Sequence, residues 1–255
     1  IEKIFLTALG SLSTLTYYYI PYNLTSKLQI APSALSGAIF PAFSSFQASR
    51  DDNANRQLYF RSTLYLALFS AFFAAFVLLF GGDFLRVWIG EDFARRSTGV
   101  LSVLAIAGFI NALAWPSLAA IQSLGKPHVS AAFHTIEAVF YVPAAYLLIA
   151  RWGGMGAAAA WLARAAADMF LLQFAASRIL KENLFGFYGK VLLRLIPAFA
   201  AALALFMFIK YRGLPFTSFA NIALLALASV LYCVMVWFWG FDSTMRRAVN
   251  VWIYR

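Results

Sequence analysis

Long uncharged runs separated by short polar stretches dominate the chain. Residues 97–125 and 213–241 each form 29 consecutive positions without Asp, Glu, Lys or Arg, where a membrane-spanning helix needs about 20 apolar residues. Runs of this length fit α-helices and not outer-membrane barrel strands, which are about 9–11 residues of alternating pattern. Seven membrane segments are expected, over 17–46, 60–80, 98–123, 129–150, 155–180, 191–209 and 217–240. The opening stretch, 1–9, reads as the last turns of an eighth helix, so the chain is expected to be a fragment that starts inside a membrane segment. The expected fold class is an all-α polytopic membrane protein with about seven transmembrane segments plus a helix stub.

The punctuation within and between these runs adds detail. Pro21, Pro32 and Pro41 recur along the first segment, and each removes a backbone donor and crowds the preceding turn. A bent or broken helix lying against protein or a cavity is therefore expected there. Residues 83–90 mix aromatic, aliphatic and charged side chains over a length too short to span, which predicts a short interfacial helix with Trp88 at headgroup level. The remaining connections, among them Gly125-Lys126-Pro127-His128 and Trp152-Gly153-Gly154, are short, and no extramembrane domain is expected in this stretch.

Composition narrows the function classes. Of 255 residues, 63% are hydrophobic and 12% charged, against roughly 45–50% and about 25% in soluble domains, which excludes a water-soluble enzyme. The net charge of +10 comes from basic residues scattered among loops rather than gathered on one face, so topology explains it better than nucleic-acid binding. Counting Lys and Arg in alternate loops gives eleven on one side (Arg50, Arg56, Arg61, Lys126, Arg178, Lys181, Lys190, Arg194, Arg246, Arg247, Arg255) and six on the other (Arg86, Arg95, Arg96, Arg151, Lys210, Arg212). The positive-inside rule makes the first side cytoplasmic, with the C-terminus inside and Trp88 outside. The lone Cys233 allows no disulfide framework or thiolate metal site within the chain.

Candidate chemistry lies in the charges left at depth. Lys3, Lys27 and Arg164 fall within apolar segments, joined by Glu137, Asp168 and Asn111. Arg164 lies about ten residues past the Gly153-Gly154 pair, roughly 15 Å along a helix, near the midplane of a core about 30 Å thick. Such charges are costly in lipid, normally face the bundle interior and mark substrate or ion pathways. The alternative is local pairing: Arg164 and Asp168 are spaced i,i+4 on one helix face, and Glu137 could be the structural partner of Lys27 or Arg164. His134 has no companion ligand set, and no H-E-x-x-H, G-x-S-x-G or P-loop motif occurs, so metal, hydrolase and NTPase readings lack their residues and no cofactor is expected. The Gly156-Ala157-Ala158-Ala159-Ala160 run reads as a close-packing helix face.

The stretch 17–44, with Tyr22-Asn23-Leu24, Lys27-Leu28, Pro32-Ser33-Ala34-Leu35-Ser36 and Phe40-Pro41-Ala42-Phe43-Ser44, resembles the opening of the second half of polysaccharide (O-antigen type) lipid-linked-oligosaccharide flippases, of the multidrug/oligosaccharidyl-lipid/polysaccharide exporter superfamily. Leu85-Arg86-Val87-Trp88-Ile89-Gly90, Leu124-Gly125-Lys126-Pro127 and Gly153-Gly154-Met155-Gly156-Ala157-Ala158, leading to Trp161, Arg164 and Asp168, fit in the same order. The resemblance covers about residues 1–180 and implies the C-terminal lobe of a two-lobed transporter; residues 181–255 would be two appended helices and a cytoplasmic tail. It further implies movement of undecaprenyl-pyrophosphate-linked oligosaccharide from the cytoplasmic to the outer leaflet of the inner membrane by alternating access, with an N-terminal lobe as partner. Lys27 and Arg164 take the role of cavity cations toward the pyrophosphate, with Asn23 and Asn111 beside them as substrate contacts. Glu137 and Asp168 are expected to bind a coupling ion or to form ion pairs.

Two acids against two cations at depth mean that this half alone does not present a strongly cationic cavity. A cation-coupled multidrug exporter of the same superfamily is therefore a rival expectation, in which Glu137 and Asp168 matter more than the basic residues. A non-catalytic membrane subunit of a polysaccharide assembly complex is another, and a membrane enzyme is disfavoured because loop carboxylates fall on both sides.

Overall fold

A computed structural model describes residues 1–10, 12–212 and 215–236. These residues form eight helices: α1 (Glu2–Leu9), α2 (Leu12–Lys27), α3 (Ile30–Ala48), α4 (Asp52–Trp88), α5 (Glu91–Ser123), α6 (Pro127–Leu180), α7 (Leu184–Tyr211) and α8 (Phe219–Met235). No strand occurs among the described residues, and α4, α5, α6 and α7 are long and apolar enough to cross a membrane. The protein is an all-α polytopic membrane protein. The end of the segment expected at 217–240, and the tail carrying Arg246, Arg247 and Arg255, lie outside the described residues.

The segment expected over 17–46 is two helices, α2 and α3, interrupted at Leu28-Gln29. Pro32 is the third residue of α3, in the first turn where a backbone N–H has no intrahelical partner, so it favours a fresh helix start just before it. Pro21 and Pro41 lie inside helices, Pro21 buried and Pro41 exposed. Gln29 ties the interruption to α5: its Nε2 donates to the Gly108 carbonyl at 2.8 Å, and its Oε1 accepts from Asn111 Nδ2 at 3.0 Å and Trp115 Nε1 at 3.3 Å. At about 1 kcal/mol per hydrogen bond, with buried groups left unpaired, Gln29→Leu is expected to destabilise the protein by about 2–4 kcal/mol, read as a lower midpoint of thermal unfolding in detergent.

α6 has 54 residues, about 80 Å if straight, too long for one crossing. Gly153 turns it at φ 56°, ψ −129°, a conformation open to glycine and hindered by any Cβ. The arms 127–152 and 154–180 fold back as antiparallel neighbours, so the two segments expected at 129–150 and 155–180 are present, and the loop expected between them shrinks to a turn. Gly156 marks the tightest approach, where an added Cβ would overlap the Leu148 carbonyl. Buried Ala157, Ala158 and Ala160 continue the contact together with Ala145 and Ile149, as small residues do where helices approach in lipid.

The separate interfacial helix expected at 83–90 does not form: residues 83–88 are the last turns of α4. Gly81 and Gly82, just before it, serve close packing. A Cβ on Gly81 would come within 2.8 Å of Leu101 Cδ2, and one on Gly82 within 3.0 Å of Thr98 Cγ2, so both glycines admit α5 against α4. Arg86 fastens the joint through Asp83 at 3.1 Å and through Glu91 of α5. α7 and α8 pack on α4 through Phe72, Phe206 and Tyr232, whose hydroxyl donates to the Leu68 carbonyl at 2.6 Å. Large apolar side chains face outward, among them Val139, Phe140 and Leu147 on α6. A soluble surface avoids such an expanse, and a lipid-facing one requires it.

Candidate functional site

The α6 hairpin sets two pairs of polar positions opposite one another, about one turn apart. His134, Glu137 and Tyr141 step by three and four residues along the first arm, and Trp161, Arg164 and Asp168 do the same along the second, so each set shares a helix face. Antiparallel pairing brings His134 to Asp168, with Nε2 3.1 Å from Oδ1, and Glu137 to Arg164, with Oε2 3.9 Å from Nη1. The Arg164 guanidinium also lies 6.0 Å from the centre of the Tyr141 ring. This polar ladder is embedded in an otherwise apolar hairpin.

Two further helices close the ladder. Tyr141 donates its hydroxyl hydrogen bond to Glu2 of α1. Tyr22 of α2 meets Trp161 edge-on at 6.2 Å and stacks on Tyr18 at 5.7 Å. Lys3 stands 4.3 Å from the Tyr19 ring centre and 5.2 Å from that of Tyr22, a cation over aromatic faces. The hairpin, α1 and α2 therefore share one polar cluster, with Lys3 and Tyr19 on its exposed side.

The ladder is not internally satisfied. Glu137 is 7% exposed at its side chain and Arg164 30%, their 3.9 Å separation exceeds a hydrogen bond, and neither Glu137 oxygen has a hydrogen-bond partner. Arg164 makes no hydrogen bond among the described residues, which leaves a five-donor guanidinium facing the interior. Buried polar groups are normally paired, and ionisable groups at membrane depth mark ligand or ion paths. Chemically, the ladder can offer donors to an anion at Arg164, or accept a proton or small cation at Glu137 and Asp168.

The structure brings together three of the residues expected from the sequence, Arg164, Glu137 and Asp168. Arg164 does not use Asp168, its i,i+4 neighbour, because the hairpin presents Glu137 across from it and His134 occupies Asp168. Lys27 ends α2, exposed, and no contact among the described residues joins it to Arg164. Asn23 is half-buried one turn before it, and its carbonyl accepts from the Ser26 hydroxyl at 2.9 Å. Asn111 is committed to Gln29. Glu2, Tyr141 and Gln29 belong to these polar sites and were not anticipated; the matching three-then-four spacing on either side of Gly153-Gly154 is the signal that could have shown Tyr141. Locally, Glu2, Glu137 and Asp168 outnumber Arg164 and the exposed Lys3, so the described cluster is richer in acid than the sequence tally of two against two.

No known family profile matches the chain, and no solved structure matches it. The chain is 34% identical over 163 residues to a protein of Shigella flexneri named "Putative O-antigen transporter", a match covering 64% of this chain and 38% of that protein. The matched stretch thus spans well under half of that relative's length.

Proposed function

We propose that this chain supplies the C-terminal transport lobe, residues 1–180, and two appended helices, 181–255, of a two-lobed exporter. The exporter flips undecaprenyl-pyrophosphate-linked oligosaccharide from the cytoplasmic to the outer leaflet of the bacterial inner membrane, with the C-terminus in the cytoplasm. It works by alternating access with an N-terminal lobe, without covalent chemistry. The observation that carries this reading is Arg164: a guanidinium at membrane depth, turned toward an apolar hairpin's interior with its hydrogen-bond donors free. A planar fork of donors matches phosphate oxygens bidentately. The similarity to a protein named for O-antigen transport supports the same substrate class, and Lys27, exposed at the end of α2, is a second cation available to it.

The test uses the full-length protein. In cells deleted for it, undecaprenyl-pyrophosphate oligosaccharide should accumulate on the cytoplasmic leaflet, and wild type should clear it. Arg164→Ala, inserted in the membrane at wild-type level, should leave export below about 1% of wild type, on the order of 3 kcal/mol lost from one charge-assisted contact. Full export by Arg164→Ala would refute the assigned role.

The excess of carboxylates around Arg164 favours one second reading, a cation-coupled exporter of small cationic compounds. In that case deletion lowers efflux of cationic dyes, no lipid-linked sugar accumulates, and neutral replacement of Glu137 or Asp168 is more damaging than that of Arg164. A non-catalytic subunit of an assembly complex would instead tolerate all three replacements.

A further inference from the structure

A cavity of about 210 Å³ lies where the end of α3 and the start of α4 meet the ends of α5 and α6, and it shares no residue with the ladder. It has room for about seven waters at about 30 Å³ each, the scale of a lipid headgroup rather than of a whole lipid. Its polar residues come from separate elements: Asp52 and Asn55 from the first turns of α4, Lys126 from the turn between α5 and α6, and Lys181 from the end of α6. Leu124 and Leu180 close its apolar side.

Asn55 calls for a ligand. It is 3% exposed, and its Oδ1 is shielded with no hydrogen-bond partner among the described residues, a state that buried polar groups normally avoid. The missing partner is a donor. Asp52 places a carboxylate about one helical turn before it. The C-termini of α5 and α6, which both end on the cavity, carry partial negative charge that favours a cation. Lys126 and Lys181 are exposed and supply the opposite sign. None of the salt bridges among the described residues joins either lysine to Asp52, so both signs face one cavity without cancelling in a pair. The first apolar residues of α4, Leu58-Tyr59-Phe60, follow soon after Asn55, which sets the cavity at headgroup level.

We propose that this cavity seats a phosphate ester bearing a primary ammonium, the headgroup of phosphatidylethanolamine. The ammonium donates to Asn55 Oδ1 and to the Asp52 carboxylate, Lys126 and Lys181 meet the phosphate oxygens as point charges, and Leu124 and Leu180 flank the glycerol. A quaternary ammonium of the same net charge has no N–H and leaves Asn55 unpaired, so the site discriminates by hydrogen-bond donors and not by charge. It is independent of what the hairpin transports. A seated headgroup ties the start of α4 to the ends of α5 and α6.

Delipidated full-length protein in detergent, read by native mass spectrometry, tests this by titration with dioleoyl lipids: phosphatidylethanolamine, its N-methyl and N,N-dimethyl forms, phosphatidylcholine and phosphatidylglycerol. Wild-type retention should fall with each methyl added and be about thirtyfold weaker for phosphatidylcholine, the scale of one hydrogen bond to a charged group. Asn55→Leu keeps the size, removes the acceptor and should bind phosphatidylethanolamine no better than phosphatidylcholine. Asp52→Asn, at an exposed position, should narrow the preference by about tenfold with helical circular dichroism unchanged. Asp92→Asn removes an exposed carboxylate elsewhere and should bind as wild type does. Equal retention of phosphatidylethanolamine and phosphatidylcholine by wild type, or a preference unchanged in either Asn55→Leu or Asp52→Asn, overturns the proposal. Phosphatidylglycerol retained as tightly as phosphatidylethanolamine also overturns it, as the mark of a plain anion site. Displacement of the lipid by equimolar soluble phosphoethanolamine would overturn the lipid assignment in favour of a free phosphate ester.

Discussion

A Gly156→Ala variant will unfold about 6–12 °C below the parent and will export nothing, although only one methyl group has been added. The new Cβ would overlap the backbone of Leu148 rather than a side chain that could rotate away, so relief requires the two arms of α6 to separate. Overpacking of this kind costs about 1–3 kcal/mol and more against rigid backbone, and about 3 kcal/mol corresponds to that shift for a chain of this size. Separation of the arms also pulls apart the Ala145, Ile149, Ala157 and Ala158 core and lengthens the already loose contact between Glu137 and Arg164. Gly37→Ala is the control. A Cβ there meets nothing within 4 Å, and alanine is the better helix former by about 1 kcal/mol, so this variant should melt at or slightly above the parent. Thermal unfolding followed by circular dichroism in detergent reads both; a Gly156→Ala protein that melts with the parent would show that the arms do not meet as described.

The expectations that held and those that failed divide by range. Uncharged runs locate the membrane helices because lipid imposes the same demand on every turn. Glycines and prolines mark most of the joints between them, since both act within one helical turn. The mixed stretch at 83–90 misled for a reason that is not local: α4 runs on through Gly81-Gly82. Two glycines cost a 37-residue helix about 2 kcal/mol, and here that cost is offset by Leu101 and Thr98 of α5, which no inspection of residues 81–90 can reveal. For Arg164 the sequence left two partners open, Asp168 by spacing along one helix and Glu137 from another segment; the hairpin supplied Glu137 and gave Asp168 to His134. Gln29 drew no expectation, because its partners lie 79 to 86 residues away. The Gly153 turn was the exception that sequence could have carried further. Once the chain is taken to reverse there, steps of three and four on either side bring the two polar faces together, although the register that sets 134 against 168 and 137 against 164 centres near residue 151 and only the structure gives it.

A double-mutant cycle on Arg164 and Glu137 should separate what the pair does for the fold from what Arg164 does for transport. Arg164→Gln alone leaves a shielded carboxylate, already without a hydrogen-bond partner, with no cation beside it, and breaking such a pair from one side is the damaging change. Adding Glu137→Gln removes the stranded charge, so the double variant should regain about 1–2 kcal/mol relative to Arg164→Gln, within the range of coupling between contacting residues. Export should not follow stability. If Arg164 meets the pyrophosphate, the better-folded double variant remains as inactive as Arg164→Gln, and Glu137→Gln alone retains export. If the carboxylate carries a coupling ion, Glu137→Gln alone abolishes transport and the cycle in export is dominated by the acid. Should stability and export recover together in the double variant, Arg164 is a structural counter-ion, and the anion must be met by another cation, for which Lys27, exposed at the end of α2, is the candidate.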